Sequence, residues 1–334
     1  MKAVILVGGV GSRLRPLTLT RPKQMLPILH RPKIEHVVDH LAQYGIEEAV
    51  LSMGYRPDAF TEAWPDGVCG GVKLHYAVEP EPLDTAGAIH FSARDAGITD
   101  RFLVVNGDVL TDLDIAELIA FHDARGAEGT IALHRVVDPS AFGVVPTDDA
   151  GRVLAFVEKP PAGEAPTDLI NAGTYVLEAS ALDRIPEGRK VSIERETFPA
   201  MVKDRSLFAL PAVAYWIDAG TPAQYLQAQI DLVDGLRGAQ SEGISPAASI
   251  SPEATVERSV IGSGVDVGAQ AVVRCSIVMP DAFIGEGARL TETIIGANAR
   301  VEAGAVLDGY TVLGDGVRAE AGERLHGVRR PHEP

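Results

Sequence analysis

Near the start of the chain, a glycine turn, GGVG (8–11), is followed at once by Ser12 and Arg13, and Lys23 stands between Pro22 and Pro27. Glycines let a backbone bend sharply and bring its amide hydrogens close to an anion. Cations on a proline-stiffened loop beside such amides form a cradle for a triphosphate. Two familiar phosphate motifs are excluded. A Walker loop needs Lys and then Ser or Thr after its last glycine, and a dinucleotide fingerprint needs a small residue where Leu14 stands.

Two carboxylates complement this loop. Asp108 closes the run FLVVNGD (102–108) and Asp218 closes YWID (215–218), so both are expected to emerge at the carboxyl edge of a parallel sheet, where ligands bind. Two hard oxygen donors facing a phosphate-rich ligand suit Mg²⁺. Lys159, ahead of Pro160 in VEKP (157–160), can meet a second phosphate. The chain has 9 histidines, scattered; His36 and His40 share a helix face but lack HExxH chemistry, and no nucleophilic triad is evident.

These residues need a sheet to position them. Residues 1–232 alternate short apolar runs with amphipathic ones, the pattern of βαβ units. AVILV (3–7), AVLSM (49–53), LHYAV (74–78), FLVVN (102–106) and TIALH (130–134) read as strands. Ile34, Val37, Val38 and Leu41, and then Ile115, Leu118, Ile119 and His122, recur at helical spacing. Asp84, Thr85 and Asp112 are expected to cap the helices that follow them.

From Ile250 the pattern changes. Aliphatic residues recur in steps of six, occasionally five, grouped so that VERSVIG (256–262), VRCSIVM (273–279) and LTETIIG (290–296) superimpose at a period of seventeen. A six-residue step with small residues at the corners suits a triangular parallel β-helix of about four coils. The expected organisation is a nucleotide-binding α/β domain over 1–232, a Gly-, Ser- and Pro-rich linker over 233–249, a β-helix over 250–328 and a polar tail over 329–334.

Composition narrows the partners. The 334 residues carry a formal net charge of -16, with 46% hydrophobic and 23% charged residues, which describes a folded globular chain. Strong acidity disfavours nucleic acid and anionic membranes. Cys69 and Cys275 support neither a disulfide framework nor a thiolate metal site, and Ala3–Val7 is too short for a signal-peptide core, so a cytoplasmic location with Met1 opening the mature protein is expected.

GGVGSRLRPLT followed by RPKQMLP resembles the signature of sugar-1-phosphate nucleotidyltransferases. NGDVL (106–110), FGVV (142–145), VEKP (157–160), INAGTYVL (170–177) and YWIDAGTP (215–222) resemble that family's later motifs in its usual order. Within that family, PTDLINAGTYVLE (166–178), RIPEGRKVSIERETFP (184–199) and the trailing hexapeptide region resemble bacterial mannose-1-phosphate guanylyltransferases. The resemblance implies a Rossmann-like mixed sheet followed by a left-handed parallel β-helix of hexapeptide repeats. It also implies transfer of a nucleotidyl group from a nucleoside triphosphate, GTP favoured, to a sugar 1-phosphate, mannose 1-phosphate favoured.

By the same resemblance, Arg13, Lys23 and Lys159 are catalytic, and Asp108 and Asp218 hold Mg²⁺. Leu6, Gly8, Gly9, Gly11, Ser12, Glu79, Asp84, Thr85 and Gly107 bind the nucleotide; Gly143, Glu158, Lys159 and Asn171 bind the sugar phosphate. Glu79 falls where similar thymidylyltransferases carry glutamine. A carboxylate only accepts hydrogen bonds, which matches the two adjacent donors of guanine. Asp84 departs from the glycine usual in that motif, so its side chain is expected to crowd the base or touch the ribose.

Two other readings stay open: a glucose-1-phosphate thymidylyl- or uridylyltransferase, or a relative for an unusual sugar or cyclitol phosphate, and a non-catalytic nucleotide-sugar-binding regulator. An acyltransferase β-helix would carry a histidine among its coils, whereas His326 and His332 lie at the end of the chain. The β-helix is expected to join copies of the chain into a homo-oligomer.

Overall fold

The computed structural model describes residues 1–331. Two compact units are present: Met1–Gly9 with Ile34–Trp216, and Val10–Lys33 with Ile217–Pro334.

The first unit is built on a 10-stranded mixed sheet. Its centre, the strand Lys2–Leu6, runs parallel to Glu48–Met53 on one side and to Phe102–Asn106 on the other, with Val72–Val78 beyond Glu48–Met53. The apolar runs noted above therefore do form strands. Ala3, Val4 and Ile5 are each 0% exposed, so both faces are covered, which is why the run is continuously apolar and not alternating. The helix Asp84–Asp95 contributes Ala86, Ile89 and Ala93 to the cluster that holds Val4, Val50 and Val104. Past Phe102–Asn106 the sheet turns antiparallel through Leu169–Leu177, which also pairs with Gly129–Arg135; Leu207–Pro211 then lies parallel to that strand.

Strand order reverses at Lys2–Leu6. The chain first adds strands on one side and then crosses to place Phe102–Asn106 on the other, so the segments leaving these two strands run side by side, with Gly107 N–H donating to the Leu6 carbonyl at 3.0 Å. Such a switch point opens a crevice at the carboxyl ends of the strands.

Helix starts differ from expectation. The helix Ile115–Arg125 is capped by Asp114, whose side chain accepts from Glu117 N–H, and not by Asp112. In the helix Asp84–Asp95 the early amides of Ala86 and Gly87 donate to the Val191 carbonyl, so neither Asp84 nor Thr85 caps it. A cap needs the side chain at one position only, and a neighbouring segment can replace it.

In the second unit, three sheets of five parallel strands form a parallel β-helix. Val256, Val273, Leu290 and Leu307 stack in register at the expected period, with Leu325 next. Ile250, Val267, Ile284, Val301 and Ala319 form a second column. The fourth of the five coils is one residue longer. Its corner uses two left-handed residues, Gly309 (φ 63°) and Tyr310 (φ 61°), where the coils below use one, Cys275 (φ 44°) or Glu292 (φ 52°).

Buried hydroxyls tie one corner from coil to coil. Ser259 Oγ accepts from Ser276 N–H at 3.1 Å, Ser276 Oγ from Thr293 N–H at 3.1 Å, and Thr311 Oγ1 from Val328 N–H at 3.2 Å. There are five rungs where about four coils were expected; the fifth is formed by Arg318–Ala319, Arg324–His326 and Arg329–Arg330, short strands whose arginines obscure the hydrophobic pattern. Of the rest of the expected polar tail, Pro331 is described and 332–334 lie outside the described residues. No described helix is long and apolar enough to cross a membrane.

Candidate active site

In the first unit the candidate nucleotide residues gather at the switch point. Gly8 and Gly9 follow Leu6 and are exposed, and Gly107 and Asp108 leave the neighbouring strand buried. A Cβ on Gly8 would lie 3.5 Å from Glu79 Oε1, so the base-reading candidate borders the glycine turn. The Glu79 carboxylate is fixed from behind: Leu83 N–H donates to Oε2 at 3.0 Å and Ser52 Oγ to Oε1 at 3.3 Å. Burial pushes its pKa above the ordinary value, opposed by these two hydrogen bonds.

Asp84 explains its own oddity. Its φ is 60°, in the left-handed region where glycine is favoured, and Oδ1 accepts from Thr85 N–H at 2.8 Å, the local bond that lets aspartate tolerate this conformation. Thr85 faces elsewhere, donating from Oγ1 to Glu194 Oε2 at 2.7 Å and accepting from Ile193 N–H at 2.8 Å.

Candidate sugar residues share the antiparallel side of the sheet. Gly143 pairs with Glu158 across the strands Gly143–Val144 and Val157–Glu158. Lys159 Nζ lies 3.3 Å from Glu158 Oε1, and its amide donates to the Phe142 carbonyl at 3.0 Å. Asn171 donates from Nδ2 to Tyr175 Oη at 2.7 Å. Sequence reasoning missed Tyr175 and Glu194. The Tyr175 hydroxyl is pushed far up by burial, then by the charges of Glu194 and Glu158, which places a buried phenol and two carboxylates in one electrostatic neighbourhood. Glu194 stands in SIERE (192–196), where nothing in its spacing separates it from its neighbouring charges.

In the second unit the loop that follows the glycine turn is made of three short helical turns, Ser12–Leu14, Leu17–Leu19 and Lys23–Met25. Gly11 adopts φ 66°, and a Cβ there would lie 3.0 Å from Thr18 Cγ2 and 3.1 Å from Lys23 Cβ. Thr18 Oγ1 donates to the Gly11 carbonyl at 2.8 Å, which closes the loop on itself. The helix Pro222–Val233 anchors the loop's far end: Tyr225 Oη donates to the Pro27 carbonyl, as does Gln229 Nε2 at 2.8 Å, and Gln229 Oε1 accepts from Leu29 N–H at 2.6 Å.

Arg13 and Asp218 meet here, Nη2 to Oδ2 at 3.6 Å. Asp218 ends the short strand Trp216–Asp218, which is not one of the ten strands; the expectation that it emerges at the parallel sheet's edge is therefore corrected. The strand belongs to a separate two-stranded sheet. Lys33, which sequence reasoning also missed, is 0% exposed and donates from Nζ to the Ala219 carbonyl at 3.2 Å, beside Asp218. A charge this deeply buried needs polar partners.

Asp108, 8% exposed, in the first unit and Asp218, with an 18% exposed side chain, in the second each offer hard oxygen donors of the type a small divalent cation takes; among the described residues no group of three or more His, Cys, Asp or Glu side chains is gathered for a metal.

The fold combines a mixed α/β sheet, with a glycine turn at its switch point, and a parallel β-helix. The chain matches the nucleotidyl transferase family over residues 2–235 and the GMPPB C-terminal domain over residues 240–329, and it belongs to that family. It is 42% identical over 318 residues to a mannose-1-phosphate guanylyltransferase of Mycobacterium tuberculosis, covering 92% of this chain and 82% of that one. It is 39% identical over 338 residues to a mannose-1-phosphate guanyltransferase of Schizosaccharomyces pombe, covering 95% and 92%. Among solved structures, HddC of Yersinia pseudotuberculosis complexed with GMP-PN superimposes with a TM-score of 0.59 at 29% identity, covering 68% of this chain and 97% of that one. The expected fold class and enzyme class are thus met. Enzymes of this family act on a nucleoside triphosphate and a sugar 1-phosphate with a divalent metal.

Proposed function

We propose that this chain transfers a guanylyl group from GTP to mannose 1-phosphate, giving GDP-mannose and pyrophosphate. The observation that carries the base assignment is the Glu79 carboxylate, held beside Gly8 by Leu83 N–H and Ser52. It accepts from guanine N1–H and the 2-amino group together, which no uracil or thymine edge can match. The names of the relatives support the sugar.

An oxygen of mannose 1-phosphate attacks the α-phosphorus of GTP, the bond to the bridging oxygen breaks, and pyrophosphate leaves. The nucleophile is already an anion, so the protein needs no general base. Its task is in-line positioning and neutralisation of phosphate charge. Arg13 and Lys23, on the loop closed by Gly11 and Thr18, bind the triphosphate and the departing pyrophosphate. Lys159 steers the sugar phosphate, while Glu158 and Asn171 take sugar hydroxyls. Asp108 and Asp218 would hold Mg²⁺, which when bound supplies charge neutralisation at the phosphates. Catalysis is assigned to residues 1–232, and the β-helix over 250–328, whose stacked strands leave an open end, to self-association.

The experiment is a panel of GTP, UTP, dTTP and ATP against mannose 1-phosphate and glucose 1-phosphate, read by pyrophosphate release. GTP with mannose 1-phosphate is expected to give the highest kcat/KM. A preference for dTTP or UTP overturns the base assignment, and no turnover with any pair favours a binding protein.

A further inference from the structure

The β-helix also touches the phosphate-binding loop. Asp315, whose side chain is 16% exposed, accepts at Oδ2 from Arg21 Nη2 at 2.6 Å and from Thr20 Oγ1 at 2.7 Å. Its other oxygen, Oδ1, accepts from the Ala297 amide of the preceding coil at 2.9 Å, so the carboxylate is rooted in the stack before it reaches the loop. The aligned corner residues two after Ile261, Val278 and Ile295 are Ser263, Pro280 and Ala297; only after Leu313 is the equivalent an acid.

Two further contacts join this one. Arg329 Nη1 donates to the Arg13 carbonyl at 3.1 Å. Gly314 leaves room for Pro16, whose Cβ would lie 3.1 Å from a Cβ added there. The loop between Arg13 and Lys23 is thus held from outside at 13, 16, 20 and 21.

We propose that Asp315 is a positioning residue for the nucleotide: through Thr20 and Arg21 it fixes the loop that presents Arg13 and Lys23 to the triphosphate. This rests on the reading of that loop given above. A charge-assisted bond to an arginine, half buried, holds a loop more firmly than a neutral one. Fixing the loop before binding removes its ordering cost from the affinity for nucleotide and leaves the sugar phosphate unaffected.

The test compares wild type with Asp315→Ala and, from the loop side, Arg21→Gln, with Glu253→Ala as an exposed β-helix control. Each is measured for KM of GTP, KM of mannose 1-phosphate, kcat, melting temperature and amide hydrogen exchange over residues 11–25. Both loop variants are expected to raise KM for GTP about tenfold, leave KM for mannose 1-phosphate within about twofold and speed exchange in the loop, while Glu253→Ala changes nothing. Unchanged KM for GTP with unchanged exchange overturns the proposal, as does an equal rise in both KM values, which marks a general structural role. If Asp315→Ala does not fold, Arg21→Gln decides alone. If wild type fails to use GTP at all, the catalytic reading fails, and the exchange measurement still decides whether Asp315 holds the loop.

Discussion

Arg13 and Asp218 face each other at 3.6 Å, and the backbone beside them leaves no room for a side chain: a Cβ on Gly220 would lie 2.7 Å from both Arg13 Nη2 and Asp218 Oδ1. Arg13, proposed to bind phosphate, and Asp218, proposed to hold the metal, therefore restrict each other's position. Gly220→Ala is expected to lower kcat/KM about 100-fold, comparable to Arg13→Ala. Pyrophosphate release gives the rate, and an unchanged far-UV circular dichroism spectrum shows that the fold survives. Near wild-type turnover in Gly220→Ala removes the pairing from the mechanism.

Glu79 gives a pH signature. Its pKa is raised above the ordinary 4.5, mainly by burial. If Glu79 reads guanine as proposed, the base needs the ionised form, so KM for GTP is expected to rise as pH falls from 7 toward 5, more steeply than KM for mannose 1-phosphate. The sign for stability is opposite. A carboxyl whose folded pKa is raised stabilises the fold below its unfolded pKa and loses that contribution as pH climbs through the folded pKa. Glu79→Gln should therefore melt higher than wild type at pH 7 and gain less at pH 4, while GTP loses its advantage over UTP. Calorimetry at the two pH values and the nucleotide panel check both halves.

Asp84 occupies a left-handed conformation that costs an L-residue about 1 kcal/mol, offset in part by its bond to Thr85 N–H. Asp84→Gly is expected to retain turnover and to gain up to about 1 kcal/mol in a urea titration. A loss of tenfold or more in kcat/KM for GTP instead assigns the carboxylate a direct part in nucleotide binding.

Ser276 both supplies and receives a ladder bond, its N–H donating to Ser259 Oγ at 3.1 Å and its Oγ accepting from Thr293 N–H at 3.1 Å, with 0% exposure. Ser276→Ala strands a buried amide and is expected to cost about 1–3 kcal/mol in chemical denaturation. Val256→Ala at the partly exposed first rung should cost less. Equal costs at both positions argue against the ladder.

The sequence made some of this plain and concealed the rest for physical reasons. Val256, Val273 and Leu290 repeat because every coil buries one aliphatic at the same place, so a local pattern encodes the stack. The strand Lys2–Leu6 reads as buried because both its faces are. Glu194, Lys33 and Asp315 have no such pattern. Each matters through a partner far away in the chain, Thr85, Ala219 and Arg21 respectively, and a charged residue at a turn looks the same whether solvent or another segment receives it. Asp114 capping where Asp112 was expected shows the same limit at short range, since two acids in one turn are equally able and the backbone path chooses between them.

Placing Asp315 and Arg329 in the last turns of a stack has a thermal consequence. Each coil leans mainly on its neighbours, so the end of the stack frays before the middle. Warming should therefore loosen the grip on the loop while the sheet and inner coils stay intact, and heat inactivation would precede melting. Residues that brace the terminal turn then set the working temperature of the enzyme more than those that brace its core.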